Sequence, residues 1–190
     1  MRANLRTFRA PGAVSASVCR QLRAAMDRGT SAAADVLGEA IVVDEGARRA
    51  LEIDVDEPML RLAEQQLEAQ RPDIEAFFDM RLGEREGASL LRYHTGGFYG
   101  PHRDRADVPS WPDALRRCIA VVLFLNSSRE VDPNGGFSGG VLCLDTGESP
   151  LHIRPEAGLI VAFPADTVHE VTEVRDGTRD AVVDWFYGAP

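Results

Sequence analysis

Three side chains able to ligate a divalent cation stand out in this chain. His102 and Asp104 lie two residues apart in Gly100-Pro101-His102-Arg103-Asp104, and His169 lies far downstream in Thr167-Val168-His169-Glu170-Val171. In extended chain, residues i and i+2 leave the same face with backbones roughly 6.5–7 Å apart. At that spacing an imidazole and a carboxylate converge on one ion, while Arg103 between them points away. Neutral imidazole with carboxylate suits Fe(II), with Zn, Mn and Ni competing for the same donors, and such a set leaves coordination positions open. Ten residues beyond His169, Arg179 offers a guanidinium that grips a carboxylate through paired hydrogen bonds.

Each piece alone has an ordinary explanation. An H-x-D occurs by chance, single histidines are commonly surface groups, and an arginine ahead of an apolar strand is often a solvated strand end. The ordered set carries the expectation of a site. His94 and His152 have no carboxylate two residues on and are read as structural.

The elements that must position these residues change character near residue 81. Before it the apolar periodicity is mostly helical: Val14 to Arg28, with Ser15 or Ser17 as cap; a second helix opening at Asp56-Glu57-Pro58 and running to Arg71-Pro72; a short third around Ile74, Phe77 and Phe78. Gly29 to Ala40 reads as a loop or a weak helix. After residue 81 strands are expected near Met80–Glu84, Ser89–Tyr93, Cys118–Leu125, Gly140–Leu144, Leu151–Arg154, Leu159–Phe163, Val168–Val174 and Asp180–Tyr187, punctuated by Gly, Pro, Asn and Asp turns. Many short strands so punctuated predict a sandwich or jelly roll. A simple hairpin through Asp176-Gly177 would leave Arg179 five residues from the position opposite His169. Placing the two strands in different sheets aims both side chains inward, which favours the jelly roll. The expectation is α+β, mainly β: one domain over 1–190, with 1–80 as helical support and 81–190 as the jelly-roll core.

Composition narrows the partners. The chain has 190 residues, 44% hydrophobic and 27% charged, enough for one sizeable core. A net charge of −9 argues against nucleic acid and anionic membranes. All 21 basic residues are arginine, which fits a GC-rich coding bias. No secretory signal is visible behind Met1, and no window approaches the ~20 apolar residues of a membrane span. Cys19, Cys118 and Cys143 are odd in number with no CxxC pair, so a reducing cytoplasm is the expected setting.

Taken together, Tyr93, His102-Arg103-Asp104, Ser138-Gly139-Gly140, His169-Glu170-Val171, Arg179 and Trp185-Phe186 resemble the Fe(II)/2-oxoglutarate-dependent oxygenases, in their prolyl 4-hydroxylase-like branch. The resemblance covers about residues 89–187. It implies a double-stranded β-helix in which His102, Asp104 and His169 hold Fe(II). It also implies that 2-oxoglutarate binds the metal with its distal carboxylate on Arg179 and Tyr93 lining its pocket. Dioxygen is the oxidant, ascorbate an accessory reductant, and succinate and carbon dioxide the co-products of hydroxylating a peptidyl, prolyl or small-molecule substrate. One departure is Phe124, at a position where related enzymes can carry a tyrosine that helps bind 2-oxoglutarate. Retention of the carboxylate at Asp104 favours hydroxylation over halogenation. Loops Arg105–Arg117 and Ser127–Ser138 are candidates for controlling access, with Trp111 and Arg103 as candidate substrate contacts, while Trp185 reads as core. Two rivals remain: a cupin-like metal- or ligand-binding module, and a cupin-type metalloenzyme that does not use 2-oxoglutarate.

Overall fold

The computed structural model describes residues 6–37, 41–42, 44–107, 111–145 and 149–189. Ser15 caps helix α1 (Ala16–Met26), its side-chain oxygen accepting from the Val18 N–H at 3.3 Å. Cys19, Leu22, Ala25 and Met26 form its buried face. Asp56 caps α2 (Glu57–Glu68) through the Met59 N–H at 3.0 Å, and Arg71-Pro72 opens α3 (Arg71–Phe78). All three helices stand where the apolar periodicity puts them. Among the described residues, no helix is long and apolar enough to cross a membrane.

The helical reading of residues 1–80 is incomplete, because strands run before and between the helices: Phe8–Ala10 ahead of α1, then Thr30–Ala33, Arg48–Arg49, Leu51–Asp54, and a small hairpin of Val36–Leu37 with Ile41–Val42. Within Gly29–Ala40, expected as loop or weak helix, Thr30–Ala33 is a strand, and residues 38–40 lie outside the described residues. All four residues of that strand are exposed, so no burial alternation marks it in sequence. Its state is set by pairing with Leu51–Asp54, from Thr30 opposite Asp54 to Ala33 opposite Leu51.

The described strands form two larger sheets whose ladders are antiparallel. The major sheet runs in the order Phe8–Ala10, Ile160–Pro164, Arg117–Phe124, Val174–Gly188, Ser89–His94, Leu51–Asp54, Thr30–Ala33, with Phe137–Gly139 and Leu82–Arg85 also pairing with the long strand Val174–Gly188. The minor sheet runs Leu151–Ile153, Leu142–Leu144, His169–Val171, Phe98–His102, Arg48–Arg49. Strand alternation then sorts the core. Val121, Leu123, Val182 and Phe186 face outward and pack with Leu22, Met26, Ala63, Leu67 and Ile74 of the helices. Ala120, Val122, Phe124 and Ala181 face inward and pack with Leu142, Leu144 and Ile153 of the minor sheet. The result is a stack of helices, major sheet and minor sheet.

Three departures from the expected strands shape the space between the sheets. The run Val168–Val174 splits: His169–Val171 belongs to the minor sheet, and Val174 begins a 15-residue strand of the major sheet. The strand expected from Gly140 starts at Leu142, because Gly139 and Gly140 take φ of 75° and 60°, a left-handed turn that side chains disfavour. The segment between Tyr93 and Cys118, where no strand is expected, contributes the strand Phe98–His102.

Leu22 is fully buried between α1 and the outer face of the major sheet. Leu22→Ala is expected to lower stability by about 3 kcal/mol, read as a lower urea midpoint with an unchanged slope. An unmoved midpoint would contradict this packing.

Candidate metal centre

The minor sheet sets His102 directly opposite His169 in a register that slips between His169 and Val171: Val171 faces Tyr99, three residues before His102, so the Phe98–His102 strand carries one extra residue. Pro101, which has no N–H to give to a ladder, sits within that irregular stretch. The bulge puts Tyr99 on the same side as His102, their rings stacked at 3.4 Å between centroids. Asp104 follows at the strand's end, its N–H donating to the Ala165 carbonyl at 3.0 Å.

The ligand-capable atoms of His102, Asp104 and His169 all lie within 4.8 Å of one another. His102 Nε2 is 3.6 Å from one Asp104 carboxylate oxygen, and His169 Nε2 is 3.4 Å from the other. Each imidazole donates its Nδ1–H to a backbone carbonyl, His102 to Gly100 at 2.9 Å and His169 to Thr167 at 3.0 Å. A carbonyl only accepts, so the proton is on Nδ1 in both rings and, in the neutral form, both Nε2 lone pairs are free. Among the described residues, lone pairs of three acceptors thus converge with no hydrogen bond donated between them. That arrangement is unfavourable in a buried site unless a cation completes it, and it fits a divalent metal with open positions.

Protonation states agree with this fit. Burial lowers the His169 pKa, reinforced by His102 and opposed by Asp104 and the Thr167 hydrogen bond, so the ring is held neutral. Burial raises the Asp104 pKa, but His169, His102 and the Trp185 indole outweigh it and hold the carboxyl well below the usual range. Among the described residues, the buried Trp185 Nε1 meets no partner with hydrogen-bond geometry, although it stands close enough to act on Asp104.

These residues open on a cavity of about 260 Å³ between the sheets, which Arg179 and Tyr93 also line. Arg179 stands opposite Tyr93 in the major sheet and is almost wholly buried, as is Tyr93. Its guanidinium carbon lies 4.9 Å from the Tyr93 ring centroid and 5.3 Å from that of Phe124, and Nε donates to the Gly140 carbonyl at 3.1 Å. A Cβ on Gly140 would come within 2.8 Å of Arg179 Cδ, so a side chain there would displace the arginine. Burial lowers the Arg179 pKa, against Tyr93 and Asp180, yet a guanidinium stays charged. A buried cation facing a cavity beside a metal-type ligand set is suited to an anionic group.

The structure gathers His102, Asp104, His169, Arg179, Tyr93 and Trp111 around one cavity. Arg103 stays outside: it is exposed and donates to the Asp166 carbonyl, because the i+1 residue of an extended pair faces away. The Ser127–Ser138 loop does not line the cavity. It folds onto the start of the long strand, with Arg129 paired to Asp176 and Glu130 to Arg175 at 2.6 Å. In the Arg105–Arg117 loop, residues 108–110 lie outside the described residues, as do residues 146–148 between two of the expected strands.

Sequence reasoning missed three wall residues. Tyr99 was hidden by the turn-like composition around it, although a Gly-Pro pair inside a strand is itself a bulge signal. Trp185, read as core, lines the cavity. Arg117 is 3% exposed, with Nε and Nη2 on the Glu86 carboxylate at 2.6 and 2.5 Å, Nη1 on the Asp104 carbonyl at 3.1 Å, and its carbon 3.7 Å from the Trp185 ring centroid. Nothing in Arg116-Arg117 says which of the two is buried.

Residues 88–187 match the 2OG-Fe(II) oxygenase superfamily, and the chain belongs to that family. Among curated proteins it is 32% identical over 97 residues to a PKHD-type hydroxylase of Alteromonas mediterranea, covering 50% of this chain and 40% of that protein. A PKHD-type hydroxylase of Prochlorococcus marinus is 34% identical over 100 residues, covering 53% and 41%. The chain thus spans well under two thirds of these relatives. A prolyl-4-hydroxylase from Pseudomonas putida shares the fold with a TM-score of 0.71 at 22% identity, over 98% of this chain and 95% of the other. A prolyl hydroxylase from Trichoplax adhaerens, solved with a hypoxia inducible factor peptide fragment, has a TM-score of 0.70 at 17% identity, over 97% and 84%.

Burial, with Asp104 and Tyr93, pushes the Tyr99 phenol up to about 12 against the pull of Arg48 and Arg117. A raised acid pKa means the neutral phenol is favoured in the fold. Its contribution to stability is complete below pH ~10 and is lost as pH rises towards 12. The difference in phenolate absorbance between wild type and Tyr99→Phe is expected to titrate near 12; a difference titrating near 10 would contradict the stacked, buried placement.

Proposed function

We propose that this chain is an Fe(II)- and 2-oxoglutarate-dependent dioxygenase, built on a double-stranded β-helix with N-terminal helical support, that hydroxylates an unactivated C–H bond. His102, Asp104 and His169 are its metal ligands. The observation that carries the reading is the convergence of two Nδ1-anchored imidazoles and one ionised carboxylate in the cavity that Arg179 enters. Iron with 2-oxoglutarate supplies dioxygen activation, releasing succinate and carbon dioxide.

The protein's own residues supply the rest. The Gly100 and Thr167 carbonyls fix the tautomers that present Nε2. Arg179 neutralises the distal carboxylate of 2-oxoglutarate, with the Tyr93 ring against its guanidinium. Tyr93 offers a hydroxyl in that pocket, whereas Phe124 offers none. Trp111, Trp185 and the Arg117–Glu86 pair wall the cavity beside Asp104 and limit water there. The peptidyl or prolyl reading of the substrate is supported by the names of the related hydroxylases, and a small molecule fits the same cavity. The net charge of −9 speaks against nucleic acid and anionic membrane, and three free thiols suit a reducing cytoplasm.

Purified protein with Fe(II), ascorbate and 2-oxoglutarate is expected to form succinate in air, measured by NMR, even without prime substrate. His102→Ala and Asp104→Ala should each reduce that rate more than roughly 100-fold. Arg179→Ala should raise the KM for 2-oxoglutarate roughly 10- to 100-fold. Full turnover in either ligand variant would refute the site. An unchanged KM in Arg179→Ala would refute Arg179 as the clamp, and folded, iron-loaded wild type that forms no succinate from 2-oxoglutarate would favour a metalloenzyme that does not use it.

A further inference from the structure

The strand Arg117–Phe124 stops pairing with the long strand just short of Arg179. Its last register partners are Phe124 and Ala181, followed by a single backbone bond from the Leu125 N–H to the Asp180 carbonyl at 3.0 Å. Beyond that point the chain turns away. The backbone groups flanking Arg179 on that edge would then be buried without partners, at a cost comparable to lost hydrogen bonds. Asn126 takes the place of the missing strand. Its side-chain nitrogen donates to the Thr178 carbonyl at 2.7 Å, and its side-chain oxygen accepts from the Asp180 N–H at 2.9 Å.

A carboxamide carries the same donor and acceptor as a peptide group. Asn126, itself buried, therefore continues the ladder by one artificial rung placed opposite Arg179. On the other edge Arg179 pairs with Tyr93, Thr178 with His94 and Asp180 with Arg92. The face turned away from the cavity is held as well. Asp180 is fully buried, and its carboxylate accepts from Arg92 Nε at 2.7 Å, Arg92 Nη2 at 3.0 Å and Arg23 Nε of α1 at 2.9 Å. The backbone beneath Arg179 is thus fixed on both edges and from behind, while the side-chain hydrogen bonds of Asn126 go to Thr178 and Asp180 and that of Arg179 goes to the Gly140 carbonyl.

We propose that Asn126 is a positioning residue for the co-substrate clamp: its carboxamide holds the Thr178–Asp180 backbone so that the Arg179 guanidinium meets the distal carboxylate of 2-oxoglutarate in register. This rests on the reading of Arg179 as the clamp for that carboxylate. A general loss of stability would weaken every 2-oxo acid alike. A misplaced guanidinium weakens only those with a distal carboxylate, since displacements of about 1 Å can cost on the order of 100-fold.

The test is anaerobic calorimetric titration of the Mn(II)-loaded protein with 2-oxoglutarate and with 2-oxopentanoate, which lacks the distal carboxylate. Wild type is expected to favour 2-oxoglutarate by roughly 100-fold. Arg179→Ala should bring the preference close to one, and Asn126→Ala should lower it roughly 10-fold while Mn(II) affinity stays unchanged. If Asn126→Ala does not fold, Asn126→Asp keeps the acceptor for the Asp180 N–H, loses the donor to Thr178, and should also lower the preference. A preference retained in the Asn126 variant but lost in Arg179→Ala overturns the inference and leaves the reading of Arg179 standing. A preference untouched by Arg179→Ala, or none in wild type, overturns both.

Discussion

The site depends on where one segment of chain changes sheets. His169–Val171 pairs in the minor sheet, and three residues after Val171 the same chain enters the major sheet at Val174. That crossing lets His169 approach His102 from one wall while Arg179, on the opposite wall, reaches the same cavity. A hairpin within one sheet would have separated them. The left-handed turn at Gly139 and Gly140 serves the same crossing, and the second glycine provides both the carbonyl and the open space that Arg179 uses.

Around that crossing the two faces of the major sheet have separate tasks. The outward residues bury against α1, α2 and α3 and supply most of the apolar packing. The inward residues are apolar near the minor sheet and give way to Tyr93, Arg179 and Trp185 where the cavity opens. Charged groups tie the layers together. Asp180 joins the long strand to α1 through Arg23, and Arg117 joins the Asp104 backbone to Glu86 and Trp185. Such buried charges are tolerated because each has opposite charge within hydrogen-bond distance.

Much of the candidate site was legible in the sequence because its residue types are rare and ordered: an H-x-D, a distant histidine and an arginine ten residues on, which the fold gathers around one cavity. The helices were legible because Ser15 and Asp56 cap strongly periodic runs. The strands of residues 30–54 were not, since Thr30–Ala33 is exposed throughout and owes its conformation to a distant partner. Tyr99 was missed because a bulge, and not simple alternation, brings it beside His102. Arg103, a candidate substrate contact, lies outside the cavity, on the side to which the period-two argument turns it. The Ser127–Ser138 loop looked like a lid by composition, but its ion pairs to Asp176 and Arg175 tie it to the strand start instead.

The most direct measurement is the visible absorption of Fe(II)-loaded protein on anaerobic addition of 2-oxoglutarate, for wild type and His169→Ala. A metal-to-ligand charge-transfer band that saturates with 2-oxoglutarate is expected in wild type, and its loss in His169→Ala. Folded, iron-loaded wild type that develops no such band would contradict the assignment of metal and co-substrate to this cavity.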